Sequence, residues 1–82
     1  MYKTKDLFLA SYFLANGYDS YSLEKIGTVI YFTFSAPKGK KVDFVKEEDK
    51  YWQNDVLIEP KKLFAAYKEL RGRIQLAIER QT

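Results

Sequence analysis

Eighty-two residues make one domain, residues 1–82, and a chain this short buries only about 60–65% of its unfolded surface. With no cysteine and no histidine it lacks disulfides, thiolate and imidazole metal ligands, and the usual general base near neutral pH. The net charge of +3 is unevenly spread, with six basic against three acidic side chains in residues 1–42, two against six in 43–59 and six against two in 60–82. An acidic segment followed by a basic one can satisfy itself within one molecule, so the total is weak support for nucleic acid. At 46% hydrophobic and 17% aromatic, the chain has more rings than so small a core needs, and some are expected to meet a partner.

The first element reads as a helix over 5–16, with Thr4 as N-cap, Asp6 near the positive end of the dipole and Gly17 as the stop. Its apolar run, 7–15, is too short to span a bilayer. Asp6 interrupts the basic flank a signal peptide needs, so the chain is read as cytoplasmic with no membrane partner. One face, Leu7, Ala10, Ser11 and Leu14, suits packing on a sheet. The other, Leu9 and Phe13 with Tyr12 at its edge, has no obvious place in a small core, which points to a second subunit or a close pass by the last helix.

A β-hairpin follows, with strands over 19–25 and 28–35 joined at Ile26-Gly27. Pairing Lys25 with Thr28 sets Leu23 beside Ile30, Tyr21 beside Phe32 and Asp19 beside Phe34. A slip of one residue would mix the faces. Tyr31 and Thr33 then point outward with Ser20, Ser22, Glu24 and Val29. Pro37-Lys38-Gly39-Lys40-Lys41 reads as a loop. Asp43 caps a short helix through 53 that turns Phe44, Val45, Tyr51 and Trp52 inward and leaves Glu47, Glu48, Asp49 and Lys50 largely in water; a third strand over 42–45 is the competing reading. Residues 56–58 read as a brief strand at the sheet edge. Pro60 opens a long helix to about residue 80, whose Leu63, Tyr67, Leu70, Ile74 and Ala77 form a seam widened by Ala66 and Ile78. The predicted class is α+β: helix, hairpin, short helix, brief strand, long C-terminal helix.

Three pieces, Thr4-Lys5-Asp6-Leu7-Phe8-Leu9-Ala10 with Gly17 ten residues after Leu7, Val29-Ile30-Tyr31-Phe32-Thr33-Phe34, and Tyr51-Trp52-Gln53-Asn54 through Pro60 to Leu63-Phe64, resemble a known family. It is the group of small bacteriophage and bacterial proteins gathered under the domain-of-unknown-function label DUF5659, and the similarity covers nearly the whole chain. No activity comes with it. The resemblance implies a setting: an accessory protein of a phage or an integrated element, acting inside a bacterial host cell.

No catalytic site is expected. A metal-dependent nuclease needs carboxylates on adjoining strands, yet residues 26–37 carry no charge, and consecutive Glu47, Glu48 and Asp49 diverge around a helix. No metal or other cofactor is called for. Nucleic acid, DNA or RNA, is the partner expected for Tyr31 and Thr33 on the outer hairpin face with Lys38, Lys40 and Lys41 in the loop, combining stacking with phosphate contacts. The alternating aromatics pass for a strand of an RNA-recognition motif, but Phe32 and Phe34 belong to the core. The alternative is a protein-binding module that modulates a host or phage machine through its helices. A homodimer is expected through Leu9, Phe13, Tyr67, Leu70 and Ile74, which would bury the apolar sides of both long helices.

Overall fold

The chain folds in the order β1 Tyr2–Thr4, α1 Leu7–Ala15, β2 Tyr21–Ile26, β3 Val29–Phe34, α2 Phe44–Trp52 and α3 Pro60–Glu79. The computed structural model describes residues 1–54 and 57–79. The expected α+β class holds, with one antiparallel sheet in the strand order β1-β3-β2.

The hairpin turns at Gly27-Thr28, one residue later than expected, so that Ile26 pairs with Val29, Leu23 with Phe32 and Tyr21 with Phe34. Gly27 takes φ +63°, and glycine in the first of two turn positions is the arrangement a type II′ hairpin turn demands. Every pairing shifts by two residues. A shift of two keeps each side chain on its face, so Phe32 and Phe34 are buried and Tyr31 faces outward.

The third strand is β1, not the segment after α2. Tyr2 pairs with Phe34 and Thr4 with Phe32, which makes β3 the central strand. Thr4 therefore does not cap the helix; its Oγ1 accepts from the Asp6 N–H at 3.1 Å. Asp6 is the cap, accepting from the N–H groups of Phe8 and Leu9 at 2.9 and 3.2 Å. Of the expected brief strand, Val56 lies outside the described residues and Leu57 and Ile58 pair with no strand.

α1 ends in a Schellman motif. The Gly17 N–H donates to the Leu14 carbonyl and the Tyr18 N–H to that of Phe13, while the Tyr18 ring meets the Phe13 ring edge-on at 6.3 Å. This closure sends the chain back along the sheet and puts Tyr18 into the aromatic core. There Phe13 touches Tyr2, Phe34 and Phe44 at centroid distances of 5.4, 5.3 and 5.5 Å, spacings at which aromatic pairs add to simple burial.

The sheet, α2 and α3 together enclose α1. Leu9 is 1% exposed and Phe13 and Leu70 are fully buried within one chain. That overturns the expectation that Leu9, Phe13 and Leu70 face a second subunit, since α3 covers the side of α1 that had no visible neighbour. Ile74 is half-buried against the same core, and Tyr67 is half-buried beside Phe8.

On α2 the inward stripe is Phe44, Glu47, Glu48 and Tyr51, at i, i+3, i+4 and i+7, and Asp43 accepts from the Lys46 N–H at 3.1 Å as the cap. Val45 and Trp52, expected inside, are 61% and 59% exposed. Two carboxylates take their places because tyrosine hydroxyls await them. Glu48 accepts from the Tyr2 hydroxyl and from Trp52 Nε1, the latter at 3.2 Å, and Glu47 accepts from the Tyr12 hydroxyl at 3.2 Å.

Candidate binding surfaces

The outer face of the sheet is centred on β3, so Tyr31 and Thr33 stand between Lys3 of β1 and Ser22 and Glu24 of β2. Lys3 Nζ reaches across the central strand to Glu24 Oε2 at 2.9 Å and lies 5.9 Å from the centroid of the Tyr31 ring. Tyr31 is half-buried beneath that pair, and the Thr33 hydroxyl is buried with no hydrogen-bond partner among the described residues. Neither is the open stacking surface the alternating sequence suggested. The ion pair itself is about half exposed and contributes at most about 1 kcal/mol.

Lys38, Lys40 and Lys41 are exposed on a turn closed by the Lys40 N–H donating to the Pro37 carbonyl at 3.0 Å. None of the three is in an ion pair among the described residues. Tyr31 lies three residues before the end of β3, so about 10 Å of strand separates it from the start of the loop. The fold brings Tyr31 and Thr33 together with Lys3 and leaves the lysine loop beyond the strand end.

A second surface lies where α1 meets α3. Phe8, 62% exposed, stacks on Tyr67 with ring centroids 5.5 Å apart and planes 11° from parallel. Phe64 is 59% exposed, and Lys68 Nζ stands 4.6 Å from its ring centroid, a cation–π contact. Around Phe64 the helical neighbours at −3, +4 and +7 are Lys61, Lys68 and Arg71, and no acidic residue occupies the adjoining positions of that side. Phe8 and Phe64 are not marked out in the sequence, because each sits beside an apolar seam on its helix and only the packing of α1 on α3 leaves them exposed. Lys61-x-x-Phe64-x-x-x-Lys68, an aromatic ring flanked by cations at helical spacing, was the available signal.

The acidic segment is spent on tyrosines. Burial first, then Glu47 close by, pushes the Tyr12 hydroxyl up to about 12; burial, then its hydrogen bond to Glu69 at 2.6 Å, does the same for Tyr21. Tyr2 is raised well above the ordinary tyrosine value by burial and by Glu48. Glu47 and Glu48 thus act as acceptors that tie α2 to α1 and β1, and of the trio Asp49 alone is exposed. Among the described residues no three acidic side chains converge closely enough to hold a metal ion, and no helix is long and apolar enough to cross a membrane.

Comparison of the chain with protein-family models, curated proteins and solved structures finds no match.

Proposed function

We propose that the chain is a non-enzymatic protein-binding module whose partner docks on the ridge of Phe8, Phe64 and Tyr67 with an apolar surface rimmed by acidic groups. The observation that supports this reading is the exposure of two phenylalanines, each more than half in water, with Phe64 flanked along α3 by Lys61, Lys68 and Arg71. Exposed aromatic residues are what protein interfaces favour at their centres, with charged groups such as these lysines at the polar rim. The setting that fits is an accessory protein of a bacteriophage or integrated element, with a host or phage protein as the partner. Site-specific photo-crosslinking tests it: a probe at Phe64 is expected to give a discrete adduct that Phe8→Ser abolishes, while a probe at Gln75 gives none. The same adduct from both positions, or one indifferent to Phe8→Ser, refutes the reading.

A second reading rests on the loop, whose three exposed lysines have no ion-pair partner among the described residues. They would contact the phosphates of DNA or RNA. Fluorescence anisotropy at two salt concentrations is then expected to show binding that weakens steeply with salt and is lost in Lys38/Lys40/Lys41→Ala. No binding near 50 mM salt removes this reading.

A further inference from the structure

β2 is an edge strand, paired with β3 along one side over six residues, with no proline and no break in register. The Ser35 N–H donates to the Ser20 carbonyl at 2.9 Å, which sets the phase of the ladder. Backbone groups of Ser20, Ser22, Glu24 and Ile26 therefore turn toward β3, and those of Tyr21, Leu23 and Lys25 turn toward the open side. Such a row of unpaired donors and acceptors is a ready template for pairing with another chain. The side chains of Tyr21 and Leu23 also line an open groove of about 510 Å³ whose far wall is Arg73, Leu76 and Ala77 of α3 and whose end is Asp19. This side of α3 is opposite the one that carries Phe64 and Tyr67.

We propose that a second copy of the chain fills this groove, with β2 pairing antiparallel to the partner's β2 about a twofold axis through Leu23. Only registers that match odd-numbered residues satisfy the free donors and keep both sheets facing the same way. An axis through Glu24 or Lys25 would set like charges directly opposite one another, which destabilises a sheet. Moving it to Ser22 would pair Lys25 with Asp19, which lies before the strand begins, and shortens the ladder. The axis through Leu23 pairs Tyr21 with the partner's Lys25, sets Leu23 against the partner's Leu23, and places each Lys25 diagonal to the partner's Asp19. Neither Lys25 nor Asp19 is in an ion pair among the described residues, so Lys25 near one end of the strand and Asp19 just before the other carry complementary charges that the twofold brings together. Leu76 and Ala77 of both copies then floor a continuous six-stranded sheet.

Light scattering over a dilution series is expected to approach twice 9.7 kDa. Lys25→Glu should raise the dissociation constant roughly tenfold, and adding Asp19→Lys to it should restore the original value. Because the chain has no cysteine, Leu23→Cys gives an independent reading: the paired Cα atoms would lie about 5.5 Å apart, well within the span of a short bismaleimide, which should link the copies. A monomer mass at every concentration, a dimer that Lys25→Glu leaves unchanged, a double variant that fails to recover, or a Leu23→Cys chain that does not cross-link would each overturn the proposal.

Discussion

The Tyr12 hydroxyl on α1 donates to Glu47 Oε2 on α2 across 3.2 Å, and the Tyr12 ring, 3% exposed, also packs on Tyr51 at 5.4 Å. Ring burial and the charged acceptor act at one point, so α2 is held by its carboxylates as well as by Phe44. Tyr12→Phe keeps the ring and removes the donor. It is expected to cost about 1.5 kcal/mol, the low end for a bond to a charged group. Glu47→Gln retains an acceptor and should cost less than about 1 kcal/mol. Urea midpoints measured at unchanged m-value would check both, and a Tyr12→Phe chain as stable as the parent would show that the bond contributes nothing.

Alkaline pH attacks the same ties. Tyr12 and Tyr21 titrate near 10 in the unfolded chain and at about 12 in the folded one, so the folded state holds their protons more tightly. The contribution is therefore fully present below pH 10 and is lost as pH rises from about 10 through 12. Circular dichroism and tyrosinate absorbance followed together should show unfolding inside that window. The Tyr12→Phe/Tyr21→Phe double variant should lose less stability across it than the parent does.

Two glycines predict opposite signs. Gly17 sits at φ +99° in the Schellman motif with nothing within 4 Å of where a Cβ would be, so Gly17→Ala meets no clash but pays the left-handed penalty of about 1–2 kcal/mol. Gly72 lies on the exposed side of α3, again with open space around it. Gly72→Ala should stabilise by up to about 1 kcal/mol through helix propensity alone. Thermal unfolding of the two variants beside the parent decides the matter.

Where local chemistry dictates structure, the residues disclosed it. Alternation gave the faces of the hairpin even though the turn was placed one residue early, Asp43 and Pro60 marked helix starts, and Gly17 marked a helix end. β1 was illegible because three residues are too few to show a period, and what makes Tyr2–Thr4 a strand is the free edge of β3, many positions away. The same distance left open whether a second subunit or α3 covers Leu9 and Phe13, and α3 does. On α2 the polar pattern misled for a physical reason: Glu47 and Glu48 face inward only because Tyr2 and Tyr12 bring hydroxyls to them, and a sequence read segment by segment does not show that meeting. The lysine loop was legible as a loop, but its separation from Tyr31 depends on where β3 ends.

The Lys3–Glu24 pair separates two routes to nucleic acid. Among the described residues Glu24 is the one acid on the outer sheet face near Tyr31, and it both neutralises Lys3 and holds it above the ring. Glu24→Gln removes that anion and frees the lysine, at a stability cost below about 0.5 kcal/mol because the pair is half exposed. If bases stack on Tyr31, affinity for a single-stranded oligonucleotide should rise about threefold at low salt, its salt dependence should steepen by about one further phosphate contact, and Tyr31→Ala should abolish the gain. If the loop alone binds, Glu24→Gln should leave both the affinity and the salt slope where they were. Anisotropy titrations of the parent, Glu24→Gln and Glu24→Gln/Tyr31→Ala chains distinguish a sheet that reads bases from a loop that only follows the backbone.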